Sequence, residues 1–455
     1  MFNSWLLYLV AFANVMSMTS LGLYIIGANV YDIKKFRTRK LGAQGKRDNL
    51  PLVSVVVPAH NESVVIRRTL DSIRASSYPN IEIIVVDDGS TDDTAAIVRE
   101  YIMNQPKTVV SSYLSRSTGR SGQLVRRFLR CERDVTPIKL VWQANHGKAV
   151  AMNNAIENHV HGSLLMCVDA DSILHPKAIQ QAVHYFKDPQ IIGVAANVRV
   201  LDNGTLLGRL QRFEHLVGYR SKKFYTLTNT EFIVGGVAST YRTDVVREVG
   251  GYDTDTVTED IGLSMKLIAT YGNRQCRIVY AADVVAMTEG VQTYQQLMRQ
   301  RYRWKMGSLQ NLIKYGNLVA NDNATKYSFL LSFYRLPMAF LSELMLILQP
   351  LLLGYLIYLS VHYRNPYILF GAYFTITMYV LLTLWPDEYL TVREKLKLSL
   401  QTLEIYILFY AMDVVQVSAI FRCLFNREQI LKRNASSTWV SPTRAGQATP
   451  TPVRV

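Results

Sequence analysis

The sequence predicts an α/β domain on a mostly parallel sheet, flanked by transmembrane α-helices. Three observations predict it. Between residues 52 and 315, short runs rich in Val and Ile alternate with helix-like stretches, the βα rhythm of a parallel sheet. Apolar segments long enough to cross a bilayer stand on either side of that region. Basic residues crowd beside those apolar segments instead of spreading evenly.

A chain of 455 residues is too long for one compact domain and long enough for a soluble core plus several spans. Hydrophobic residues make up 49% of it, yet its formal net charge is +15, and its mean hydropathy is +0.07. A basic protein can hold nucleic acid through counterion release, but no nucleic-acid-binding module is recognisable. The basic flanks instead fit the cytosolic ends of membrane spans, and no nucleic-acid partner is expected. The four cysteines (Cys131, Cys167, Cys276 and Cys423) show no CxxC spacing, which argues against a zinc site and a disulfide framework.

Residues 5–30 are almost wholly apolar and long enough to span, so residues 1–31 are expected to form an N-terminal transmembrane helix. Lys34, Lys35, Arg37, Arg39, Lys40, Lys46 and Arg47 follow and place the next stretch in the cytosol. The segment lacks a basic n-region and exceeds the usual h-region of a cleaved signal peptide. Strands are then expected at 53–57 and 81–86, with helices at 63–75 and 92–103, the latter capped near Ser90 or Thr91. Residues 105–136 break the rhythm with Ser, Gly and six arginines. They read as a surface insertion, either a solvated loop or a contact for anionic headgroups.

Apolar density returns after Lys326, with candidate spans at 336–359, 367–384 and 403–421 inside a C-terminal membrane region at 328–425. The basic loop at 387–397 and the basic tail at 426–455 both read as cytosolic. Three full crossings cannot place both inside, so one segment must be re-entrant, interfacial or divided. Residues 403–421 form the weakest span because they hold Glu404 and Asp413.

Four stretches carry chemistry, with a fifth in support. The strand ending in Asp87-Asp88-Gly89 presents carboxylates where open α/β sheets bind ligands, and Asp88 can accept the imide hydrogen of a uracil; Asp-Gly is also ordinary turn chemistry. The apolar strand 164–168 ends in Asp169-Ala170-Asp171, whose two-residue spacing puts both carboxylates on one face if the strand continues. Such a pair suits Mg²⁺ or Mn²⁺ completed by substrate phosphates. Thr258-Glu259-Asp260 precedes a helix expected to start near Ile261, and Asp260 is the candidate general base; a first-turn helix acid fits the position too. Gln300-Arg301-Tyr302-Arg303-Trp304 lies in a basic amphipathic stretch, 294–315, within an interfacial segment at 291–325. Arg303 can grip a diphosphate and Trp304 can underlie a sugar ring, or both can anchor an interfacial helix at headgroup level. Asn145-His146-Gly147-Lys148 adds a lysine after a glycine turn, suited to phosphate and equally to a solvated turn.

In this order, Asp-Asp-Gly, Gly-Lys, Asp-x-Asp, Thr-Glu-Asp and Gln-x-x-Arg-Trp resemble the family 2 processive glycosyltransferases, which include cellulose, chitin, hyaluronan and poly-N-acetylglucosamine synthases. The poly-β-1,6-N-acetylglucosamine branch is the most similar, through residues 253–265, 300–304 and 439–444. The resemblance implies a GT-A catalytic domain at 51–290, an inverting mechanism, a UDP-sugar donor and a divalent metal. By motif, Pro58, Glu62, Asp88, Lys148, Asp169 and Arg303 would bind the donor. Asp169 and Asp171 would hold the metal, Asp260 would act as base, and Glu259, Gln300 and Trp304 would meet the acceptor. It further implies a multi-pass plasma-membrane enzyme with a cytosolic active site, a polysaccharide acceptor, lipid contacts, coupled export and an accessory export or synthase subunit. The single N-terminal span and the 105–136 insertion depart from the family pattern. Three other readings share parts of it: a hyaluronan- or chitin-type polymerase, a single-addition lipid glycosyltransferase, and a scaffold or export subunit that has lost catalysis. The Arg-Trp pair favours a polymerase over single addition, and the intact carboxylates argue against an inactive fold.

Overall fold

The computed structural model describes residues 2–41, 50–104, 136–432 and 446. The chain runs α1 (Phe2–Leu41), β1 (Val53–Ala59), α2 (Ile66–Arg74), β2 (Ile81–Asp88), α3 (Thr94–Met103), β3 (Ile138–Gln143), α4 (Lys148–Asn158), β4 (Leu164–Cys167), β5 (Ile173–Leu174), α5 (Ala178–Tyr185), β6 (Ile191–Val200) and α6 (Leu206–Leu227). It continues with β7 (Ser239–Arg242), α7 (Thr243–Glu248), α8 (Glu259–Tyr271), β8 (Arg277–Thr288), α9 (Tyr294–Lys314), α10 (Leu336–His362), α11 (Tyr367–Leu384), α12 (Val392–Phe425) and α13 (Arg427–Lys432).

Eight strands form one sheet in the order β3-β2-β1-β4-β7-β6-β8-β5. Every residue of β1 is buried, as expected of a central strand covered on both faces. Alternate β1 side chains feed opposite layers: Val53, Val55 and Val57 pack with Ile66, Leu70 and Ile73 of α2. Val56 packs on the other face with Met152 and Ile156 of α4 and Leu263 of α8.

The sheet is mixed, which corrects the mostly parallel expectation. Strands β3, β2, β1 and β4 run parallel, but β7 is antiparallel to both β4 and β6, and β5 is antiparallel to β8. Strand β7 is only Ser-Thr-Tyr-Arg, too short and too polar to register as an apolar run, and its insertion reverses the local direction. Helix α3 starts later than expected. Its N-cap is Asp93, while the Asp92 carboxylate accepts the Thr94 N–H at 3.0 Å.

The C-terminal half of α1 docks on α6. Tyr24 and Tyr225 share a hydroxyl hydrogen bond of 2.6 Å, Lys223 pairs with Asp32 at 2.7 Å, and Tyr31 donates to the Tyr280 carbonyl at 2.9 Å. Helix α9 carries a capping box, Thr293 with Gln296, and buries Leu297, Met306 and Leu312; it packs on α12 and α8. The three apolar C-terminal stretches are three helices. Among the described residues, Met345–His362 of α10 and Leu408–Phe425 of α12 are long and apolar enough to cross a membrane. The apolar part of α11, Leu369–Leu384, is shorter. The apolar window of α12 begins beyond Glu404 and still holds Asp413. Residues 105–135 of the basic insertion and residues 433–445 of the tail lie outside the described residues.

Candidate active site

A cleft of about 740 Å³ opens beyond the carboxyl ends of the strands, the place where such sheets bind ligands. Glu62, Lys148, Asp169, Asp171, Glu259, Asp260, Gln300, Arg303 and Trp304 all line it. Side chains separated by up to 242 residues are thus brought into one concavity.

Its centre is a charge cluster. Lys148 Nζ lies 2.7 Å from Asp169 Oδ1 and 3.1 Å from Glu259 Oε1. A Cβ built on Gly236 would stand 2.9 Å from Lys148 Nζ, 3.6 Å from Asp260 Oδ2 and 3.7 Å from Asp169 Oδ1. Gly236 therefore backs the cluster closely, and a side chain there would push the end of Lys148 aside. Burial raises the Asp260 carboxyl, the neighbouring Glu259 charge raises it further, Lys148 opposes both, and the balance is about 6. Burial by itself would lower the Lys148 ammonium, but Asp169, Glu259 and Asp260 outweigh it and hold it well above the usual range. A carboxyl poised near neutral pH and a permanently charged lysine are suited to general-base and anion-holding work respectively.

The backbone that presents these groups is pinned from three sides. Asp88 is fully buried, and its carboxylate accepts from Gln143 Nε2 at 2.8 Å, His146 N at 3.0 Å and Gly147 N at 2.8 Å. It thereby anchors the turn into α4 that carries Lys148. Gly89 has φ +67°, and a Cβ there would meet Asn145 N at 2.6 Å, so this close crossing needs glycine. Asn311 of α9 is fully buried and donates to the Thr258 carbonyl at 3.0 Å, and Gln310 accepts the Val257 N–H at 2.9 Å. Helix α9 thus holds the entry to α8, so Asp260 is both a first-turn acid, accepting from Ile261 N at 2.9 Å, and a member of the cluster.

Two placements differ from the sequence expectation. Strand β4 ends at Cys167, so Asp169 and Asp171 lie on a turn closed by Ser172 N bonding to the Asp169 carbonyl at 2.9 Å. Strand alternation does not apply there: the Asp169 side chain is 32% exposed, while Asp171 is 5% exposed and accepts from the Ser172 and Thr288 hydroxyls, each at 3.2 Å. Pro58 is a buried residue within β1, opposite Val86, and neither it nor Asp88 lines the cleft.

The donor set tests whether a divalent cation fits. Among the described residues no group of three or more His, Cys, Asp or Glu side chains could hold a metal. Asp169, open to the cleft, and Asp171, which also lines it, are oxygen donors that suit Mg²⁺ or Mn²⁺ taking its remaining ligands from water and substrate phosphate. The residues fit a cation that arrives with its substrate.

At the other wall, Arg303 is exposed and makes no hydrogen bond or ion pair with the described residues. Trp304 lies under Arg301, whose guanidinium carbon is 4.2 Å from the ring centroid. Arg301 is buried and bonds Glu214 at 2.5 Å. Gln300 Oε1 is buried without a partner among the described residues. Three lining residues escaped the sequence reading. Glu289, bonded to Arg68 at 3.0 Å, follows the carboxyl end of β8 just as Asp169 follows β4. Arg301 precedes Trp304 by three residues, one helical turn. Gly236 belongs to a Gly-Gly pair between apolar runs. Beyond Trp304 the cleft reaches Glu343 of α10, paired with Lys305 at 2.7 Å, and Gln416 of α12.

Residues 51–307 match the model of glycosyltransferase-like family 2. The chain belongs to this family. Its mixed sheet is the GT-A arrangement. It is 29% identical over 270 residues to poly-β-1,6-N-acetyl-D-glucosamine synthase of Staphylococcus aureus, a match covering 59% of this chain and 57% of that protein. The Staphylococcus epidermidis protein of the same name is 27% identical over 299 residues, covering 64% and 63%. The chain therefore spans about three-fifths of the length of these relatives. Among solved structures, the mannosyltransferase PcManGT of Pyrobaculum calidifontis, in complex with GDP-Man and Mn²⁺, aligns with TM-score 0.48 and 19% identity over 92% of this chain and 99% of its own. Staphylococcus aureus TarS with UDP-GlcNAc gives 0.36 and 17%, over 58% and 72%.

Proposed function

We propose that this chain is an inverting, processive transferase that adds GlcNAc from a UDP-sugar to a growing β-linked polysaccharide at the cytosolic membrane face, coupled to export. One observation carries the reading: Lys148, Asp169, Glu259 and Asp260 form a single cluster in the same cleft as Arg303 and Trp304. The relatives named as poly-β-1,6-N-acetyl-D-glucosamine synthases support the choice of sugar.

In this mechanism Trp304 receives the terminal acceptor sugar on its face, with Gln300 Oε1 and Glu259 as hydrogen-bond acceptors for its hydroxyls. Asp260 takes the proton from the attacking hydroxyl as its oxygen bonds to the anomeric carbon and the bond to the diphosphate breaks, which inverts that carbon. Lys148 and Arg303 hold the departing diphosphate. A divalent cation on Asp169 and Asp171 would supply further charge neutralisation to it. Glu62 borders the donor side. A uracil contact by Asp88 requires the turn at 145–147 to open, because its carboxylate is fully buried against the N–H groups of that turn. The cleft reaches α10 and α12 through Glu343 and Gln416, and each of these helices is long and apolar enough to cross a membrane, so the product has a path toward the bilayer.

The test is incubation of membranes with radiolabelled UDP-GlcNAc, with and without UDP-GlcA, followed by linkage-specific hydrolases. Long polymer from UDP-GlcNAc alone, lost in Asp260→Asn, is expected. Parental polymer synthesis by Asp260→Asn overturns the assignment of the base, and a short solvent-extractable product points to single addition onto lipid.

A further inference from the structure

The turn that carries Asp169 and Asp171 is held from two sides by residues the proposed mechanism does not use. On one side stands one turn of α2. Arg68 Nη2 donates to the Asp171 carbonyl at 3.3 Å, Thr69 Oγ1 donates to the Ala170 carbonyl at 2.7 Å, and Ser72 Oγ accepts the Leu174 N–H at 3.1 Å. On the other side is the end of β8. Strand β5, which follows the turn, pairs antiparallel with β8, Ile173 opposite Met287 and Leu174 opposite Ala286. Thr288 Oγ1 then donates to Asp171 Oδ2 at 3.2 Å.

Arg68 joins the two sides. While Nη2 reaches the Asp171 carbonyl, Nη1 donates to Glu289 Oε1 at 3.0 Å. The side chains of this pair are 13% and 2% exposed, so it stands largely out of water and is little screened by salt. Asp171 and Glu289 both line the cleft, and Thr288, which bonds Asp171, immediately precedes Glu289. A guanidinium presents N–H groups in fixed directions and can serve a carboxylate and a carbonyl at once, which the point charge of a lysine does less well. The turn needs such support because β4 ends at Cys167, so no strand ladder holds the backbone of residues 169–171. Groups that orient cation ligands affect affinity nearly as strongly as the ligands themselves.

We propose that Arg68 is a positioning residue for the divalent cation: bridging Glu289 and Asp171, with Thr69 beside it, it fixes the turn at 169–172 so that Asp169 and Asp171 meet the cation that arrives with the donor diphosphate. The inference rests on the reading of Asp169 and Asp171 as cation ligands. Arg68 acts through Asp171 and not on the substrate.

The test uses the full chain, purified in neutral detergent, with UDP present and no transfer taking place. Mn²⁺ binding is followed by the electron paramagnetic resonance signal of the free ion, UDP binding in EDTA by calorimetry, and folding by the unfolding midpoint. The parent should bind Mn²⁺ saturably, and Asp171→Asn should weaken that binding. Arg68→Gln should raise the half-saturating Mn²⁺ concentration about tenfold and leave UDP binding in EDTA unchanged. Arg68→Lys keeps a charge beside Glu289 without the fork and should fall between. Arg67→Gln, next on the same helix with a solvent-exposed Glu100 partner, should match the parent. Should Arg68→Gln fail to fold because Glu289 is left buried and unpaired, Thr69→Val removes the adjacent hydrogen bond at nearly constant shape and should raise half-saturation about threefold. Weakened Mn²⁺ binding in Asp171→Asn, with parental binding in the Arg68 and Thr69 variants, overturns the proposal alone. A loss of UDP binding in EDTA equal to the loss of Mn²⁺ binding marks a general structural role and also overturns it. Parental Mn²⁺ binding in Asp171→Asn, or none by the parent, overturns the ligand assignment and the proposal with it.

Discussion

Glu259→Gln and Lys148→Gln should move the acid limb of the transferase rate in opposite directions. The Asp260 carboxyl, at about 6, is set by burial and the Glu259 charge on one side and Lys148 on the other. As a general base it works only deprotonated. With a value near 6 it is roughly nine-tenths ionised at pH 7 and one-tenth at pH 5, so the rate should fall about tenfold across that interval. Glu259→Gln removes the like charge at nearly constant shape and releases Lys148 from its 3.1 Å partner. Both changes favour the carboxylate and should lower the value by about one unit, which shrinks the same fall to about twofold. Lys148→Gln removes the opposing cation, so the limb should move to higher pH. The doubly esterified donor diphosphate does not titrate in this range. The assay is initial GlcNAc incorporation at saturating donor, from pH 4.5 to 8.5, with each profile normalised to its own plateau so that lost binding does not enter. A limb that stays fixed, or moves the same way in both variants, refutes the assignment of Asp260 as the titrating base.

Gly236→Ala should lower turnover by about tenfold with the fold intact, because its methyl would stand 2.9 Å from Lys148 Nζ and push the end of that side chain aside by a fraction of an ångström; kinetics together with circular dichroism decide it. Asp253 is held below the usual carboxylate range: burial would raise it, but Lys314, Tyr315 and Lys266 donate to it and outweigh that cost. Its contribution is present above the ordinary carboxylate pKa of about 3.9 and lost as pH falls through its lower folded value. Asp253→Asn should therefore destabilise the chain by about 3 kcal/mol near neutral pH, read as a lower unfolding midpoint. Chelation should abolish incorporation and added Mn²⁺ or Mg²⁺ restore it, with Asp169→Asn requiring more cation for half-maximal rate; unchanged activity in excess EDTA would exclude the metal. Trp304→Ala should raise the acceptor KM more than the donor KM, and Arg301→Leu should follow it in part, because Arg301 fixes the ring from 4.2 Å.

What the sequence discloses follows from where each residue stands relative to a regular element. Strands β1, β2 and β4 were legible because parallel strands covered on both faces are continuous apolar runs, and the acids at their carboxyl ends stand out against them. Strand β7 was not, since its four residues are short, half polar and paired antiparallel. The two-residue β5, antiparallel to β8, is shorter still, and these two strands account for the error in sheet type. The Asp169 and Asp171 pair was read as strand alternation because a sequence does not mark where β4 stops; the turn at 169–172 then gives the two carboxylates unequal exposure.

The site residues that were missed share a cause. Arg301, Gly236 and Glu289 act through neighbours distant in sequence: Glu214 and the Trp304 ring for Arg301, the Lys148 cluster for Gly236, Arg68 for Glu289. Asp88 shows the converse. Its motif was legible, but the sequence could not reveal that the carboxylate meets the backbone of residues 146 and 147. Those two bonds fix the turn that begins α4, and α4 begins with Lys148. An acid at the end of one strand thus sets the position of the cation that lowers the Asp260 pKa, so Asp88→Asn should disturb the acid limb of the rate as well as donor binding. A motif residue and a pKa in another segment are linked through a single backbone turn, which explains how the five motifs act as one site although none is contiguous with another.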